Sequence, residues 1–235
     1  MSEVPQPDHA PDEGELILID KPLTWTSFDV VKKLKWACKF KKIGHAGTLD
    51  PLATGLLILC TGKKTKQIDS YQAQEKEYEG TLVLGKTTPS VDLETEFDRD
   101  FPVDHITQEA LERTALQLSG TLQQLPPIYS AVRLNGERLY KKARRGETVE
   151  IKPREVTVHT FEIDSQDFPT VHFRIVCSKG TYIRSLVRDF GQILESGAYL
   201  SALRRTRIGD FSVSDSVPME RYINDKRTEL NLTND

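Results

Sequence analysis

Gly44-His45-Ala46-Gly47-Thr48-Leu49-Asp50-Pro51-Leu52-Ala53-Thr54-Gly55 is the stretch of sequence that decides the fold. Its glycines tolerate backbone angles that other residues resist, and Pro51 biases Asp50 toward an extended conformation. The run 56–60 that follows is continuously apolar and has the length of a buried strand. The stretch therefore predicts a stiff loop that holds the Asp50 carboxylate beside a core strand. This carboxylate is a candidate site, although an aspartate before a proline can also simply cap a turn.

The composition indicates one globular domain. The chain has 235 residues, of which 37% are hydrophobic and 29% are charged. Cys38, Cys60 and Cys177 lie far apart in the sequence, which favours reduced thiols and predicts a cytoplasmic location. No stretch is long enough to span a membrane, and the acidic N-terminus does not resemble a signal peptide. We predict a disordered tail over residues 1–12, a folded domain over 13–217 and a polar tail over 218–235.

The formal net charge of -3 conceals an uneven distribution of charge. Six acidic residues and no lysine or arginine lie within the first 20 residues, and the rest of the chain carries 32 lysines and arginines against 29 acidic residues. One basic cluster alone is typical of a solvated helix face, but four of them predict a surface that binds nucleic-acid phosphates. These clusters are Lys32, Lys33, Lys35, Lys39, Lys41 and Lys42; Lys63, Lys64 and Lys66; Arg133, Arg138, Lys141, Lys142, Arg144 and Arg145; and Arg204, Arg205 and Arg207.

Strands and helices mix along the chain, which predicts an α/β fold. Alternating or continuous apolar runs predict strands over residues 15–21, 56–60, 76–85, 155–163, 171–177 and 200–209. Helices are predicted after Thr26 or Ser27, from Thr107 to Gly120, over 137–145, and after the motif Lys179-Gly180-Thr181-Tyr182-Ile183-Arg184-Ser185-Leu186. The apolar face of the first helix is predicted at Phe28, Val31, Leu34 and Cys38.

The helix after residue 182 has an apolar face that fixes which side is core. That face comprises Ile183, Leu186, Val187, Phe190, Ile193 and Leu194. Tyr182 and Arg184 fall outside it, so both side chains can project from the first turn toward a neighbouring loop. His159 and His172 lack the spacing of metal ligands, and we predict neither a metal site nor a cofactor.

The stretch 44–55 closely resembles the signature loop of the TruB family of tRNA pseudouridine synthases, Gly-His-x-Gly-x-Leu-Asp-Pro-x-Ala-x-Gly. Further motifs at 85–92, 126–136, 179–186 and 200–209 extend the resemblance over residues 15–217. It implies a pseudouridine synthase fold, with a mixed, mostly antiparallel sheet flanked by helices. It also implies that the chain isomerises uridine 55 in the T-loop of tRNA. Many family members carry an additional C-terminal RNA-binding domain, and we expect this chain to lack a domain of that PUA type.

The resemblance also assigns roles to individual residues. Asp50 takes the place of the family's essential catalytic aspartate, and Arg184 that of the arginine that pairs with it. Tyr78 takes the place of a tyrosine that stacks on the target base, and Tyr182 that of one lining the pocket. His45 takes the place of the histidine that fills the space vacated in the RNA.

Two further assignments complete the predicted site. Lys21 is expected to contact the RNA backbone. The segment after Tyr78 follows the family pattern at Gly85, Thr88 and Asp92, which makes Asp92 a substrate-binding candidate. It departs from that pattern at Ser90, where the family has threonine, and at Thr95, where it has glycine.

The reaction itself explains these residue types. Breaking the N1 glycosidic bond of uridine builds positive charge at C1′, which a carboxylate can stabilise electrostatically or attack. Arg184 would hold the carboxylate of Asp50 ionised and aimed. The base must first leave its stack, at a cost of a few kcal/mol.

We expect the T-arm of tRNA as partner, with no guide RNA, no obligatory protein partner and no membrane. Two alternatives stay open at this point. One is a relative that a separate RNA guides to its target, and the other is a tRNA-binding protein without catalysis.

Overall fold

The computed structural model of the chain describes residues 13–128 and 152–231, together with Arg145 and the backbone of 133–134 and 137–138. The tail predicted over residues 1–12 lies outside this range. The elements in chain order are β1 (Leu16–Lys21), α1 (Ser27–Ala37), β2 (Ile43–Ala46), β3 (Ala53–Thr61), α2 (Ile68–Ala73), β4 (Lys76–Leu84), β5 (Lys86–Thr87), β6 (Arg99–Asp100), α3 (Gln108–Gln117), β7 (Gly120–Gln124), β8 (Arg133–Leu134), β9 (Glu137–Arg138), β10 (Arg154–Asp164), β11 (Thr170–Cys177), α4 (Ile183–Ile193), β12 (Ala198–Ile208), β13 (Phe211–Ser212), β14 (Val217–Pro218) and α5 (Met219–Glu229).

One ten-stranded sheet organises the described part of the chain. Its main path runs β14-β1-β3-β12-β4-β11-β10-β7, with β2 added to β3 and β13 added to β12. The pairs β1/β14 and β3/β12 are parallel, and the other pairs of this sheet are antiparallel. The predicted mixed, mostly antiparallel sheet is confirmed, and all six predicted strands are present.

Two helices cover one half of the sheet and form its larger core. Helix α3 begins at the predicted cap, Thr107, whose hydroxyl accepts a hydrogen bond from the N–H of Ala110 at 3.2 Å. Helix α4 buries the predicted apolar face except for Ile193, which is partly exposed. Phe190 from α4 packs against Phe161 in β10, with ring centroids 5.7 Å apart.

Helix α1 buries only part of the face predicted for it. Thr26 caps it through a capping box with Asp29, and this fixes where the helix begins. The buried positions of α1 are Ser27, Val30, Leu34 and Ala37, and Cys38 at its end is also buried, while Phe28 is 65% exposed. The predictions of Leu34 and Cys38 as core residues are confirmed. The prediction of Phe28 is wrong, because the buried face also includes Val30 and Ala37 and is turned away from Phe28.

Within the segment 218–235, which was predicted as a polar tail, Met219–Glu229 forms helix α5. Met219 and Ile223 are buried against residues of β1, β3 and α1. Lys226 donates a hydrogen bond to the carboxylate of Glu15 at 2.6 Å, which ties the helix to the start of the fold. The prediction of a tail is therefore corrected to a packed helix.

The helix predicted over 137–145 is wrong at its start, because Glu137–Arg138 is a strand that pairs with Arg133–Leu134. Of the third basic cluster, Lys141, Lys142 and Arg144 lie outside the described residues. The three cysteines are buried and unpaired. No helix in the described ranges is both long and apolar enough to cross a membrane.

Candidate active site

Four strands align one row of residues beneath the signature loop. Lys21 on β1 pairs with Gly55 on β3, Gly55 with Arg205 on β12, and Arg205 with Tyr78 on β4. Gly55 has a φ of +100°, and a Cβ there would lie 2.3 Å from the carbonyl oxygen of Arg205. Only glycine fits this close approach between the paired strands β3 and β12. The row brings two cationic side chains and one aromatic side chain under the loop that carries Asp50.

Hydrogen bonds to the backbone hold the residues on both sides of Asp50 in place. The buried hydroxyl of Ser27 accepts from the N–H of Leu49 at 2.8 Å and donates to its carbonyl at 3.3 Å. The N–H of Thr24 donates to the carbonyl of Pro51 at 2.9 Å. The loop is therefore fixed before any substrate binds, as a catalytic group requires.

Arg205 is a structural residue of this loop and does not belong to a phosphate-binding surface. Its side chain is 1% exposed, and its guanidinium donates to the carbonyls of Leu56 at 2.8 Å and Gly47 at 3.2 Å. Its neighbour Arg204 pairs with Asp20 at 2.7 Å. The prediction that this fourth basic cluster binds phosphates is therefore wrong for Arg205, and Arg204 is already ion-paired.

Lys21 is also buried, which corrects its predicted contact with the RNA backbone. Its ammonium has no exposed surface and donates to the carbonyls of Pro22 at 2.9 Å, Trp25 at 2.5 Å and Pro51 at 3.4 Å. Burial lowers the pKa of Lys21 to about 8, and the charge of Asp50 opposes this shift. Lys21 thus anchors the end of the loop from inside the protein.

The central interaction of the site joins Arg184 to Asp50. The Nε of Arg184 donates to Oδ2 of Asp50 at 2.9 Å. Arg184 is 4% exposed and Asp50 is 38% exposed, so the carboxylate faces solvent while its partner is buried behind it. Charge-assisted hydrogen bonds of this kind are strong and directional. Arg184 can therefore hold the Asp50 carboxylate in one orientation toward a substrate.

Asp92 and Ser90 fix Arg184 from behind. Oδ2 of Asp92 lies 3.6 Å from Nε of Arg184, and the carbonyl of Ser90 accepts from Nη1 at 3.1 Å. Asp92 is buried, and its Oδ1 accepts from the N–H of Glu94 at 3.0 Å. This position favours a role in orienting Arg184 over the predicted contact between Asp92 and substrate.

A cavity of about 380 Å³ opens beside Asp50. Tyr78 and Tyr182 both line it, so two of the predicted pocket residues meet the catalytic candidate in one place. Burial raises the pKa of Tyr78, which keeps its phenol neutral at ordinary pH. The other lining residues are Gly47, Thr48, Leu49, Gln72, Lys76, Arg154, Ser178, Gly180, Thr181, Ile183, Leu203 and Arg205.

Lys76 is a cavity residue that the sequence did not single out. Its ammonium donates to the carbonyls of Gln72 and Gln74. Burial lowers the pKa of Lys76 to about 8, and the charge of Arg205 acts in the same direction. Lys76 therefore contributes a basic group to this wall of the cavity.

His45 lies on β2 and not among the residues that line the cavity. Burial lowers the pKa of His45, and the positive charge of Arg205 contributes in the same direction. The imidazole is therefore neutral near pH 7, which suits packing against bases better than a phosphate contact.

Gln124 is a second residue that the sequence did not single out. Its side-chain amide accepts from the N–H of Tyr182 at 2.8 Å and donates to the carbonyl of Tyr182 at 3.1 Å. The residue is buried at the end of β7. Ser185 adds a hydrogen bond from its hydroxyl to the carbonyl of Leu125 at 2.7 Å. Together these contacts fix the first turn of α4, which carries Tyr182 and Arg184.

Gln124→Ala is expected to slow turnover roughly tenfold or more while leaving RNA binding within a few-fold. The substitution removes both hydrogen bonds from the Gln124 side chain to the backbone of Tyr182. Loss of a hydrogen-bond partner at a buried position typically costs about 1–3 kcal/mol. Single-turnover conversion and separate binding measurements check this result. The exposed neighbour Gln123 provides the control, because Gln123→Ala leaves the clamp intact. Equal rates for the two variants would contradict a positioning role for Gln124.

Among the described residues, no group of three or more histidine, cysteine, aspartate or glutamate side chains could hold a metal ion.

Comparison with known proteins places this arrangement in a family. Residues 35–183 match the family model described as "TruB family pseudouridylate synthase (N terminal domain)". Residues 184–228 match the model described as "tRNA pseudouridylate synthase B C-terminal domain". The second match spans α4, β12 and most of α5, which here form one body with the rest of the sheet.

Curated relatives of this chain carry the name "tRNA pseudouridine synthase B", and two of them illustrate the similarity. The protein from Flavobacterium johnsoniae is 54% identical over 217 residues, which cover 89% of this chain and 95% of the relative. The protein from Chlorobaculum tepidum is 46% identical over 221 residues, which cover 91% of each chain.

Among solved structures, a chain in "Crystal Structure of a Cbf5-Nop10-Gar1 Complex" matches with a TM-score of 0.70 and 28% identity. The match covers 93% of this chain and 56% of the solved one, so this chain spans a little over half the length of that protein. Fold and comparisons together define the class of protein, a pseudouridine synthase. Within that class, the chain belongs to the TruB family.

Proposed function

We propose that this chain converts uridine 55 in the T-loop of tRNA to pseudouridine, with Asp50 as the catalytic residue. The observation that carries the proposal is the hydrogen bond from buried Arg184 to partly exposed Asp50, at the wall of a cavity lined by two tyrosines. The names of the curated relatives support tRNA as the substrate.

The chemistry requires a carboxylate near the sugar of the target nucleotide. The N1–C1′ bond of uridine breaks, the uracil rotates, and a C5–C1′ bond forms, while C5 loses a proton and N1 gains one. Asp50 can stabilise the positive charge at C1′ or act covalently there. Because the atoms balance without a redox step, the reaction calls for no cofactor.

The cavity suits a base that has left its stack. Its volume of about 380 Å³ lies within the range of small-molecule sites, about 300–1,000 Å³. The neutral ring of Tyr78 can stack on the extruded uracil, and Tyr182 can shield it from water. Neutral His45, outside the cavity, can pack where the base was.

Autonomous action on tRNA is favoured over guidance by a separate RNA. The solved relatives that work within larger complexes are 28% identical or less and about twice as long as the part they share with this chain. The curated relatives named for tRNA are far more similar, and this chain covers nearly their whole length. The three free, buried thiols agree with the cytoplasm as the place of the reaction.

The purified protein is expected to form one pseudouridine in an unmodified tRNA transcript and in its isolated T-arm stem-loop. The assay is run in a monovalent buffer with EDTA, because nothing in the proposed chemistry requires a metal ion. A transcript with cytidine in place of uridine 55 serves as the control and should remain unmodified.

Two other results would lead to different functions. Conversion that begins only after cellular RNA or protein is added would indicate a guided enzyme. RNA binding without any conversion would indicate a binding protein.

A further inference from the structure

Helix α1 presents an exposed surface of aromatic and basic residues beside the signature loop. A cavity of about 470 Å³ lies on this surface. The four residues of α1 around it follow helical spacing, so they share one face of the helix, and two residues that precede the helix complete the lining. Trp36 is 65% exposed there, which is unusual for an indole ring. We call the six residues around this cavity the α1 patch: Thr24, Trp25, Asp29, Lys32, Lys33 and Trp36.

The α1 patch is continuous with the catalytic loop. The N–H of Thr24 donates to the carbonyl of Pro51, and the ammonium of buried Lys21 donates to the carbonyl of Trp25. Helix α1 has 11 residues, which corresponds to a length of about 16 Å. The α1 patch therefore begins next to the loop that carries Asp50, and it extends along one helix of about this length.

The chemistry of the α1 patch fits a nucleic acid. An indole ring offers a stacking face to any base, and Lys32 and Lys33 offer charge to the flanking phosphates. The ammonium of Lys39 lies 5.5 Å from the centre of the Trp36 ring and adds to the positive charge. The carboxylate of Asp29 is occupied in the helix cap, where it accepts from the N–H of Thr26 at 3.1 Å.

A second copy of the chain fits this surface poorly. A two-fold interface would place the patch against itself, so Lys32 and Lys33 would face identical lysines. Like charges at the centre of an interface disfavour association. The positive charges of Lys32 and Lys33 instead favour a polyanion as the occupant of the α1 patch.

We propose that the α1 patch binds an unpaired nucleotide of the RNA substrate, with the base stacked on Trp36 and the adjacent phosphates at Lys32 and Lys33. This proposal rests on the proposed function, since it takes the RNA to be bound at Asp50. It adds a contact outside the cavity that receives the target uridine.

Tryptophan fluorescence can test the proposal directly, because the sequence has two tryptophans and both belong to the α1 patch. Trp25→Phe leaves Trp36 as the sole reporter, and Asp50→Asn prevents turnover during the titration. The double variant is titrated with an unmodified tRNA transcript while the anisotropy of the same labelled transcript reports binding independently. Emission from Trp36 is expected to be quenched with the same midpoint as the anisotropy curve.

Two substitutions measure the energetic contribution of the α1 patch. Trp36→Ala should weaken tRNA binding roughly tenfold, as expected for loss of one stacked base. Lys32→Ala with Lys33→Ala should reduce the slope of log affinity against log salt by about 1.4 to 1.8, as expected for two lost phosphate contacts. Phe97→Ala and Lys86→Ala are the matched controls. The ammonium of Lys86 lies 5.1 Å from the centre of the exposed Phe97 ring, so the two residues form a similar aromatic and basic pair outside the α1 patch.

The possible failures can be told apart. If labelled tRNA binds and wild-type protein converts it, yet Trp36 emission and both affinities stay unchanged, the patch proposal is overturned and the proposed function stands. If Trp36 is quenched by raising the protein concentration without RNA, the patch is a contact between copies and the proposal is also overturned. If no tRNA binds or is converted at all, the proposed function fails, and the patch proposal with it.

Discussion

Asp50→Asn is expected to leave tRNA binding near normal while pseudouridine formation falls by at least about 10³-fold. The amide keeps the size of the side chain, and the loop around it is held by Ser27, Arg205 and Thr24. It lacks the negative charge that must oppose positive charge at C1′. Loss of a required catalytic group typically costs several orders of magnitude in rate.

The measurement is single-turnover conversion at saturating enzyme, with affinity determined separately. Asp20→Asn is a matched control, because Asp20 is also an ion-paired aspartate with a similar exposed fraction, but its arginine partner lies outside the cavity. This control should retain most of the activity. Conversion by Asp50→Asn at close to the wild-type rate would remove Asp50 from the catalytic role.

Local signals in the sequence predicted much of the fold correctly. Thr26 and Thr107 cap the helices that follow them, and the apolar runs form the expected strands. The separation of Arg184 from the apolar face of its helix also predicted its projection toward the loop, where it meets Asp50. Each of these features depends on residues that are close in the sequence, so pattern and propensity suffice.

The roles of Lys21 and Arg205 could not be read from the sequence in the same way. Lysine and arginine side chains are usually exposed, and Arg205 also lies in a run of basic residues, yet here both side chains are buried beneath the loop. Their burial follows from the strand register, which aligns them with Gly55 across three strands. The register between distant strands cannot be predicted from local sequence. Gly55 reflects it only indirectly, because a residue without a side chain is needed where β3 approaches Arg205.

Gln124 and helix α5 were missed for two related reasons. Gln124 clamps Tyr182 across 58 positions in the sequence, and a polar residue at the end of a strand gives no sign of a distant partner. Helix α5 needs only Met219 and Ile223 to pack on β1 and α1, so its sequence is polar overall. A helix with a small contact area needs few apolar residues, so the composition of α5 resembles that of a disordered tail.

Arg184→Ala is expected to reduce turnover by about 10²-fold or more, with a much smaller effect on tRNA affinity. The substitution removes the hydrogen bond that aims Asp50 and leaves the buried carboxylate of Asp92 without its nearby cation. Breaking a buried ion pair on one side typically costs about 3–5 kcal/mol of stability, so the thermal midpoint must be measured beside the rate.

Arg184→Lys separates catalysis from folding. Lysine keeps the positive charge near Asp92 but lacks the planar fork that reaches Asp50 through Nε and the carbonyl of Ser90 through Nη1. This variant should therefore recover most of the lost stability and little of the lost rate. Arg188→Lys, one turn along α4, controls for the exchange itself, because Arg188 pairs with Asp189 outside the cavity. Full activity in folded Arg184→Lys would mean that Arg184 supplies charge alone, and that other residues set the orientation of Asp50.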